Sequence, residues 1–229
     1  LIRLSNIAIG ALLLCVCLPC IGDKLHAQDF QPISASTGKN YFLGVGVGDA
    51  QLNVDNNFGT FGRSSYLPRI TLELGQYRKL DPLFGILLSA RLSYQQLRLH
   101  PINTDKPYND VISFSDAQLR YGLYLGKDLI KLHLGGAMRL PLNSSFKVKS
   151  ADSNGNEEWF DLSDDFKATQ VTFSTELGIT FLIGSFHVSP TFSWNHNKFI
   201  ESSFTTGPYS FDDSEYYTLE FVIYIPLKL

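Results

Sequence analysis

The chain has 229 residues, 44% of them hydrophobic and 18% charged, a balance that excludes a disordered, collagenous or coiled-coil protein. Eighteen glycines, 17 phenylalanines and 11 tyrosines against one methionine favour strands and tight turns over packed helices. A formal net charge of -3 offers no concentrated basic surface, so no nucleic-acid partner is expected.

Residues 1–27 read as a signal peptide. Arg3 precedes an apolar run at 7–18 that is too short to cross a bilayer as a helix, and Leu25 and Ala27 stand at the -3 and -1 positions of a cleavage site before Gln28. Cys15, Cys17 and Cys20 all lie in this leader, so the exported part is expected to use no disulfide, thiolate metal site or cysteine nucleophile. Pro19 stands where a lipoprotein signal places a small residue, which argues against a lipid anchor on Cys20. Residues 28–40, with Pro32 and Gly38, are expected to form a flexible lead-in, and residues 41–229 a single domain.

From Tyr41 onward the dominant pattern is alternation, the period of a strand with two unlike faces. In the first predicted strand Tyr41, Leu43, Val45 and Val47 oppose Gly44, Gly46 and Gly48. The second, 66–78, sets Ile70, Leu72 and Leu74 against Arg69, Thr71, Glu73 and Gly75. The third, 84–99, sets Ile86, Leu88, Ala90, Leu92 and Tyr94 against Ser89, Arg91, Ser93 and Gln95. In the fourth, 115–127, Leu119, Tyr121, Leu123 and Leu125 oppose Asp116, Gln118, Arg120 and Gly122, and in the fifth, 130–142, Ile130, Leu132, Leu134, Met138, Leu140 and Leu142 oppose Lys131, His133, Gly135, Ala137 and Arg139. The sixth, 166–183, separates Phe173, Leu177, Ile179 and Phe181 from Thr172, Ser174, Glu176 and Gly178. The seventh separates Phe186, Val188, Phe192 and Trp194 from His187, Ser189, Thr191 and Ser193, with Pro190 predicting a bulge or break near Ser189 because it cannot donate a ladder bond. The eighth, 217–229, sets Tyr217, Leu219, Phe221, Ile223 and Ile225 against Thr218 and Glu220.

The connections at 79–83, 127–129 and 184–185 are tight, whereas 55–65, 100–113, 143–165 and 197–215 are long. Eight strands with short turns at one end and long loops at the other predict an all-β fold, an eight-stranded antiparallel up-and-down transmembrane β-barrel of the bacterial outer membrane, with periplasmic termini and extracellular loops. A soluble lipocalin-like barrel has the same strand number with its apolar face inward. The composition of the two faces favours apolar-out: glycine and serine suit a narrow interior, and bulky leucines and aromatics do not. An outward apolar face meets outer-membrane lipid and lipopolysaccharide, and aromatic girdles are expected at its two ends, Tyr41, Phe84, Phe181 and Phe186 near the turns and Tyr66, Tyr94, Trp194 and Tyr217 near the loops. Closure satisfies every backbone amide in hydrocarbon.

The leader ending His26-Ala27-Gln28, the glycine-alternating stretch YFLGVGVG at 41–48, the eight strands and the C-terminal FVIYIPLKL at 221–229 resemble the small outer-membrane β-barrel proteins of Bacteroidota, the PorT-like class. The resemblance covers the whole exported chain and rests on pattern. It implies an apolar or aromatic last residue read by the barrel-assembly machinery; Leu229 is apolar and not aromatic.

The inward face carries Arg69, Arg91, Arg120, Lys131 and Arg139 beside Glu73, Asp116, Glu176 and Glu220. Such charges in a confined lumen are expected to neutralise one another as a rigid ion-pair core, with a gated ion path as the alternative. His187 and Ser189 have the His-x-Ser spacing of outer-membrane lipid A deacylases, but both fall on the inward face and lack an acidic partner, so polar packing is expected and no catalytic residue is assigned. His196 has no second ligand at metal spacing, and the acidic stretch 151–165 departs from a calcium loop at Glu157 and Ser163, so neither a metal nor a cofactor is expected. The reading is a non-enzymatic barrel whose loops contact an extracellular ligand or protein partner, with a diffusion channel or a lipid-modifying enzyme as alternatives.

Overall fold

The computed structural model describes residues 39–53, 61–64, 67–100, 110–127, 129–151, 156–163, 171–197, 200, 205–206, 209–210 and 215–227. The predicted leader, most of the lead-in, Tyr66 and Leu229 lie outside them. In chain order the strands are β1 (Lys39–Asn53), β2 (Phe61–Ser64), β3 (Arg69–Lys79), β4 (Phe84–His100), β5 (Asp110–Lys127), β6 (Ile130–Ala151), β7 (Glu157–Asp161), β8 (Thr172–Ile183), β9 (Phe186–Asn195), β10 (Thr205–Thr206), β11 (Tyr209–Ser210) and β12 (Glu215–Leu227). The described residues contain no helix.

Eight of these strands form the ring. β1 is antiparallel to β3 on one side and to β12 on the other, and β3, β4, β5, β6, β8, β9 and β12 follow as antiparallel neighbours until the sheet closes. Closure leaves these strands no free edge, so every amide in the ring can meet a carbonyl next door.

Alternation decides what each face shows. On the outside, Leu88, Leu92, Leu119, Leu123, Leu134 and Leu177 are each more than half exposed, part of a continuous apolar belt. A belt of that extent marks a surface that meets lipid or another apolar partner. Tyr121 on this surface covers Gly136, where an added Cβ would collide with the tyrosine ring.

The inside is not the uniformly polar wall that alternation predicts. It has three layers. At the turn end Phe42, Leu87, Tyr124, Val222 and Tyr224 form an apolar cluster. The middle holds the arginines and carboxylates. At the loop end a second apolar cluster gathers Ala50, Leu52, Leu97, Ile112, Phe114, Phe146, Ile200 and Tyr216.

The predicted strand limits need correction at the loop end. β1 begins at Lys39, two residues before the predicted start, and part of the predicted first loop is β2, which pairs with both β1 and β4 above β3. β3 begins at Arg69 rather than at 66, β5 at Asp110 rather than at 115, and β12 already at Glu215; of the predicted sixth strand, 166–170 lie outside the described residues and β8 begins at Thr172. β6 continues to Ala151 and β7 pairs with its end, so much of the predicted third loop is sheet.

Of the bulge or break expected near Ser189, the break is what forms, opposite Pro190 and Ser189. Pro190 causes no bulge: β9 keeps one register against β8 from Gly178↔Thr191 to Phe181↔Val188, and the ladder only lapses across Ile179 and Thr180. The Thr180 hydroxyl donates to Ser189 across this gap at 3.0 Å. The bulge lies instead beside Pro141, where Ser115 faces Asn143 and Asp116 faces Pro141, leaving Leu142 as the extra residue. One inserted residue reverses the parity of everything beyond it. Leu140 points outward, and past the bulge the even-numbered Phe146 is fully buried inside.

Candidate functional site

The middle layer is the densest gathering of chemistry-bearing side chains, and the register explains why they meet. Glu73 faces Arg91 across β3 and β4, and Gln118 faces Arg139 across β5 and β6. Glu176 and Glu220 are brought to the same level by β8 and β12, and every charged side chain in the layer is at most 3% exposed.

Arg120 is the central cation. Its Nη1 donates to Glu73 Oε1 at 2.5 Å, its Nε and Nη2 fork onto Glu176 Oε2 at 2.8 and 2.6 Å, and Tyr224 Oη lies 3.3 Å from Nη1. Arg91 donates through Nη2 to Glu73 Oε2 at 2.7 Å and through Nη1 to Glu220 Oε2 at 2.5 Å. Glu73 also accepts from the Ser89 hydroxyl at 2.5 Å. Arg69 donates from Nε to Glu220 and from Nη1 to Gln95 at 2.9 Å and Tyr216 at 3.1 Å, with Asp116 at 3.4 Å. Asp116 accepts from Ser93 and from Gln118, each at 2.6 Å. Charge-assisted and forked bonds of this kind compensate the loss of water around each ion.

Seven of the nine inward charges singled out in the sequence therefore share one bonded network: Arg69, Glu73, Arg91, Asp116, Arg120, Glu176 and Glu220. Arg139 stands at its edge, 3.9 Å from Asp116, with its guanidinium 4.9 Å from the centre of the Tyr216 ring. Lys131 lies elsewhere, at the turn end, its ammonium 4.7 Å from the centre of the Tyr77 ring. There it borders a cavity of about 40 Å³ walled by Phe42, Tyr77, Tyr124, Tyr224 and His187.

Tyr216 and Tyr224, which hold two of the arginines, were not singled out in the sequence. The signal was present, because each stands four residues from Glu220 and so shares its face. Tyrosines on a strand with so many outward aromatics carry no mark of being inward until Glu220 fixes the parity.

Among the predicted girdle residues, Tyr41 and Phe84 are exposed near the turn end, where Phe181 and Phe186 are half-buried. Near the loop end Tyr94 and Trp194 are exposed, and Tyr217 pairs directly with Trp194 across β12 and β9. Tyr66 lies outside the described residues.

Ser189 is fully buried, with its hydroxyl bonded to Thr180 and 3.4 Å from Thr191, while His187 faces the turn-end cavity. His196 Nε2 is 2.6 Å from the Thr175 hydroxyl. In the predicted acidic loop, Trp159 and Phe160 on β7 are half exposed, and the Ser163 hydroxyl and amide both donate to Asp161, holding that carboxyl below its usual range. The described residues contain no group of three or more His, Cys, Asp or Glu suited to a metal ion, and no helix long and apolar enough to cross a membrane.

No protein-family profile matches the sequence, and no curated protein matches it. Solved structures do resemble the fold. Ail, the attachment invasion locus protein of Yersinia pestis, solved in complex with the heparin analogue sucrose octasulfate, is 10% identical, with 82% of this chain and 99% of that chain covered and a TM-score of 0.45. Neisserial surface protein A is 9% identical over 82% of this chain and 98% of its own, with a TM-score of 0.43. The outer-membrane protein OprG from Pseudomonas aeruginosa is 13% identical over 82% and 93%, with a TM-score of 0.34. In its closed antiparallel ring and the absence of any helix among the described residues, the chain is an eight-stranded all-β barrel.

Proposed function

We propose that the chain is a non-enzymatic integral outer-membrane barrel whose lumen is plugged and whose loop end presents a surface to an extracellular ligand or protein partner. The observation that carries this is the layered interior: an ion-paired layer without exposed charge, packed between two apolar clusters. A continuous water path would have to part both apolar clusters and break the ion pairs between them. The apolar belt meets lipid and lipopolysaccharide, the termini lie on the periplasmic side, and the extended β4, β5, β6 and β7 stand outside the bilayer. A signal peptide over 1–27 and membership of the PorT-like class of Bacteroidota belong to the same reading, supported by the leader and the terminal sequence patterns.

Planar bilayers test the plug. The purified barrel is expected to give no stable openings, and a persistent nanosiemens-scale conductance from pure protein would overturn it. Side chains test the orientation. Cysteine placed at Lys149 is expected to react with a membrane-impermeant maleimide on intact cells, and cysteine placed at Asp81 is not; the reverse pattern would invert the topology. Lipid hydrolysis by the purified barrel that disappears in Ser189→Ala would replace this reading with an enzymatic one.

A further inference from the structure

The turn-end cavity exists because its rings are held back against the wall of the lumen. Phe42, Leu87, Tyr124 and Tyr224 form the apolar cluster there, and Tyr77 packs against it. In so narrow a barrel inward aromatic side chains ordinarily fill the interior. Here glycines on the facing strands take them instead. Tyr77 lies over Gly85, where an added Cβ would collide with the tyrosine ring and hydroxyl, and Phe42 lies over Gly75 in the same way. Edge-to-face contacts fix the rings in pairs, Tyr77 with Tyr124 at 5.7 Å and Phe42 with Tyr224 at 4.9 Å between centres. About 40 Å³ stays open between them. At about 10–15 Å³ for each water-sized group, that is room for about three methyl or methylene groups.

The chemistry of the lining says what kind of guest fits. The Thr180 hydroxyl donates to Ser189 at 3.0 Å, and Tyr224 Oη accepts from Arg120 at 3.3 Å, so these polar atoms are engaged outside the cavity. Most of what remains is hydrocarbon and ring edge, which favours an alkyl group over water. One corner differs. Lys131 reaches along the wall with its ammonium 4.7 Å from the centre of the Tyr77 ring, and His187 borders the same space. None of the described lining residues is acidic. A lysine ammonium carries three N–H donors, and lying over a ring face does not exhaust them.

We propose that the turn-end cavity binds a short, unbranched monocarboxylate, with butyrate the best fit. Its three chain carbons fill the space among Phe42, Leu87, Tyr124 and Tyr224, and its carboxylate accepts from the Lys131 ammonium at the charged corner. A longer chain overfills the cavity, and a cationic head meets Lys131. The site requires that the turn end face an aqueous phase, and it is independent of what the loops recognise.

The test uses the full chain in lipid nanodiscs, with the methyl groups of Leu87 and Thr180 followed by NMR and those of the lipid-facing Leu119 as the control for partition into the bilayer. Butyrate is expected to shift the Leu87 and Thr180 signals saturably and to leave Leu119 without a saturable change. Affinity is expected to rise about fourfold for each methylene from acetate to butyrate and to rise no further in hexanoate. Butyramide, of the same size without the charge, is expected to bind about tenfold more weakly, and Lys131→Met to bring butyrate to that level. Gly85→Ala, which drives the Tyr77 ring into the cavity, is expected to weaken both ligands. The chain-length series needs no variant and decides the matter even if Gly85→Ala does not fold. Absent or unsaturable shifts at Leu87 and Thr180, equal affinities for acetate and butyrate, or a butyrate affinity unchanged in Lys131→Met would each overturn the proposal.

Discussion

Two regions of the barrel, on either side of the bulge at Ser115 and Asp116, obey opposite rules. On the turn side the outer faces of β4 and β5 carry Leu88, Leu92, Leu119 and Leu123, and the inner faces carry Arg91 and Arg120. On the loop side the outward positions become Gln96, Arg98 and Ser113, while Leu97, Ile112 and Phe114 turn inward and are at most 1% exposed. The same strands run through both regions, so on the proposed reading the inversion reports a change of surroundings. Where the outside is hydrocarbon, the outer face must be apolar and the interior is free to be polar, provided that its charges pair. Where the outside is water, the ordinary rule returns and the apolar side chains go in. The exposed aromatics Tyr94 and Trp194 stand at the change, the amphipathic position that suits an interface.

Substitutions that set one region's rule against the other test this directly. The largest effect is expected in the charged layer: Arg120→Ala strands Glu73 and Glu176 in the interior, and a loss of about 3–5 kcal/mol is expected in guanidinium unfolding of the micelle-bound barrel. Replacing Arg120 by Met together with Glu73→Gln and Glu176→Gln removes the stranded charges and should recover most of that loss. If Arg120→Ala unfolds at the wild-type midpoint, the layer contributes nothing to holding the barrel.

In the loop-side cluster Phe146→Ala is expected to cost about 3–4 kcal/mol through the cavity it leaves, because Phe146 has no exposed surface. Tyrosine fluorescence or gel mobility of the folded form would register it. A slightly smaller cost, about 2–4 kcal/mol, is expected for Leu119→Arg at the middle of the belt. The same change at Ser113, on the outer face of the same strand beyond the bulge, should stay within about 0.5 kcal/mol. Equal penalties at the two positions would erase the boundary. The smallest effect belongs to Pro141→Ala, expected to be under about 1 kcal/mol, since the bulge is also held by the inward packing of Phe146.

The ring of eight strands was legible in the sequence because hydrocarbon enforces alternation over long runs: 130–140 and 84–94 read as strands on that pattern alone. The members of the charged layer were legible for the same reason, each lying an even number of residues from its neighbours on a strand. What the sequence hid lies where the rule changes. Past Tyr94 the inward residue is Leu97, which looks like one more outward leucine unless parity is carried through Gln95. Past Pro141 even careful counting fails, because Leu142 is inserted and Phe146 changes side. Pro190 announced a bulge or a break in β9, and the break is there, a two-residue lapse in the ladder bridged by Thr180 and Ser189. How the ions pair across the lumen also depends on strands far apart in sequence, as with Arg91 and Glu220, and no local spacing encodes it.

The boundary itself can be located by depth. Single cysteines at Leu92, Leu119, Leu134, Gln96, Ser113 and Lys147, each carrying a small environment-sensitive fluorophore, are placed in vesicles whose acyl chains are brominated. Strong quenching is expected at Leu92, Leu119 and Leu134 and almost none at Gln96, Ser113 and Lys147. Uniform quenching at all six positions, or none at the three leucines, would contradict the claim that lipid surrounds the barrel only on the turn side of the bulge.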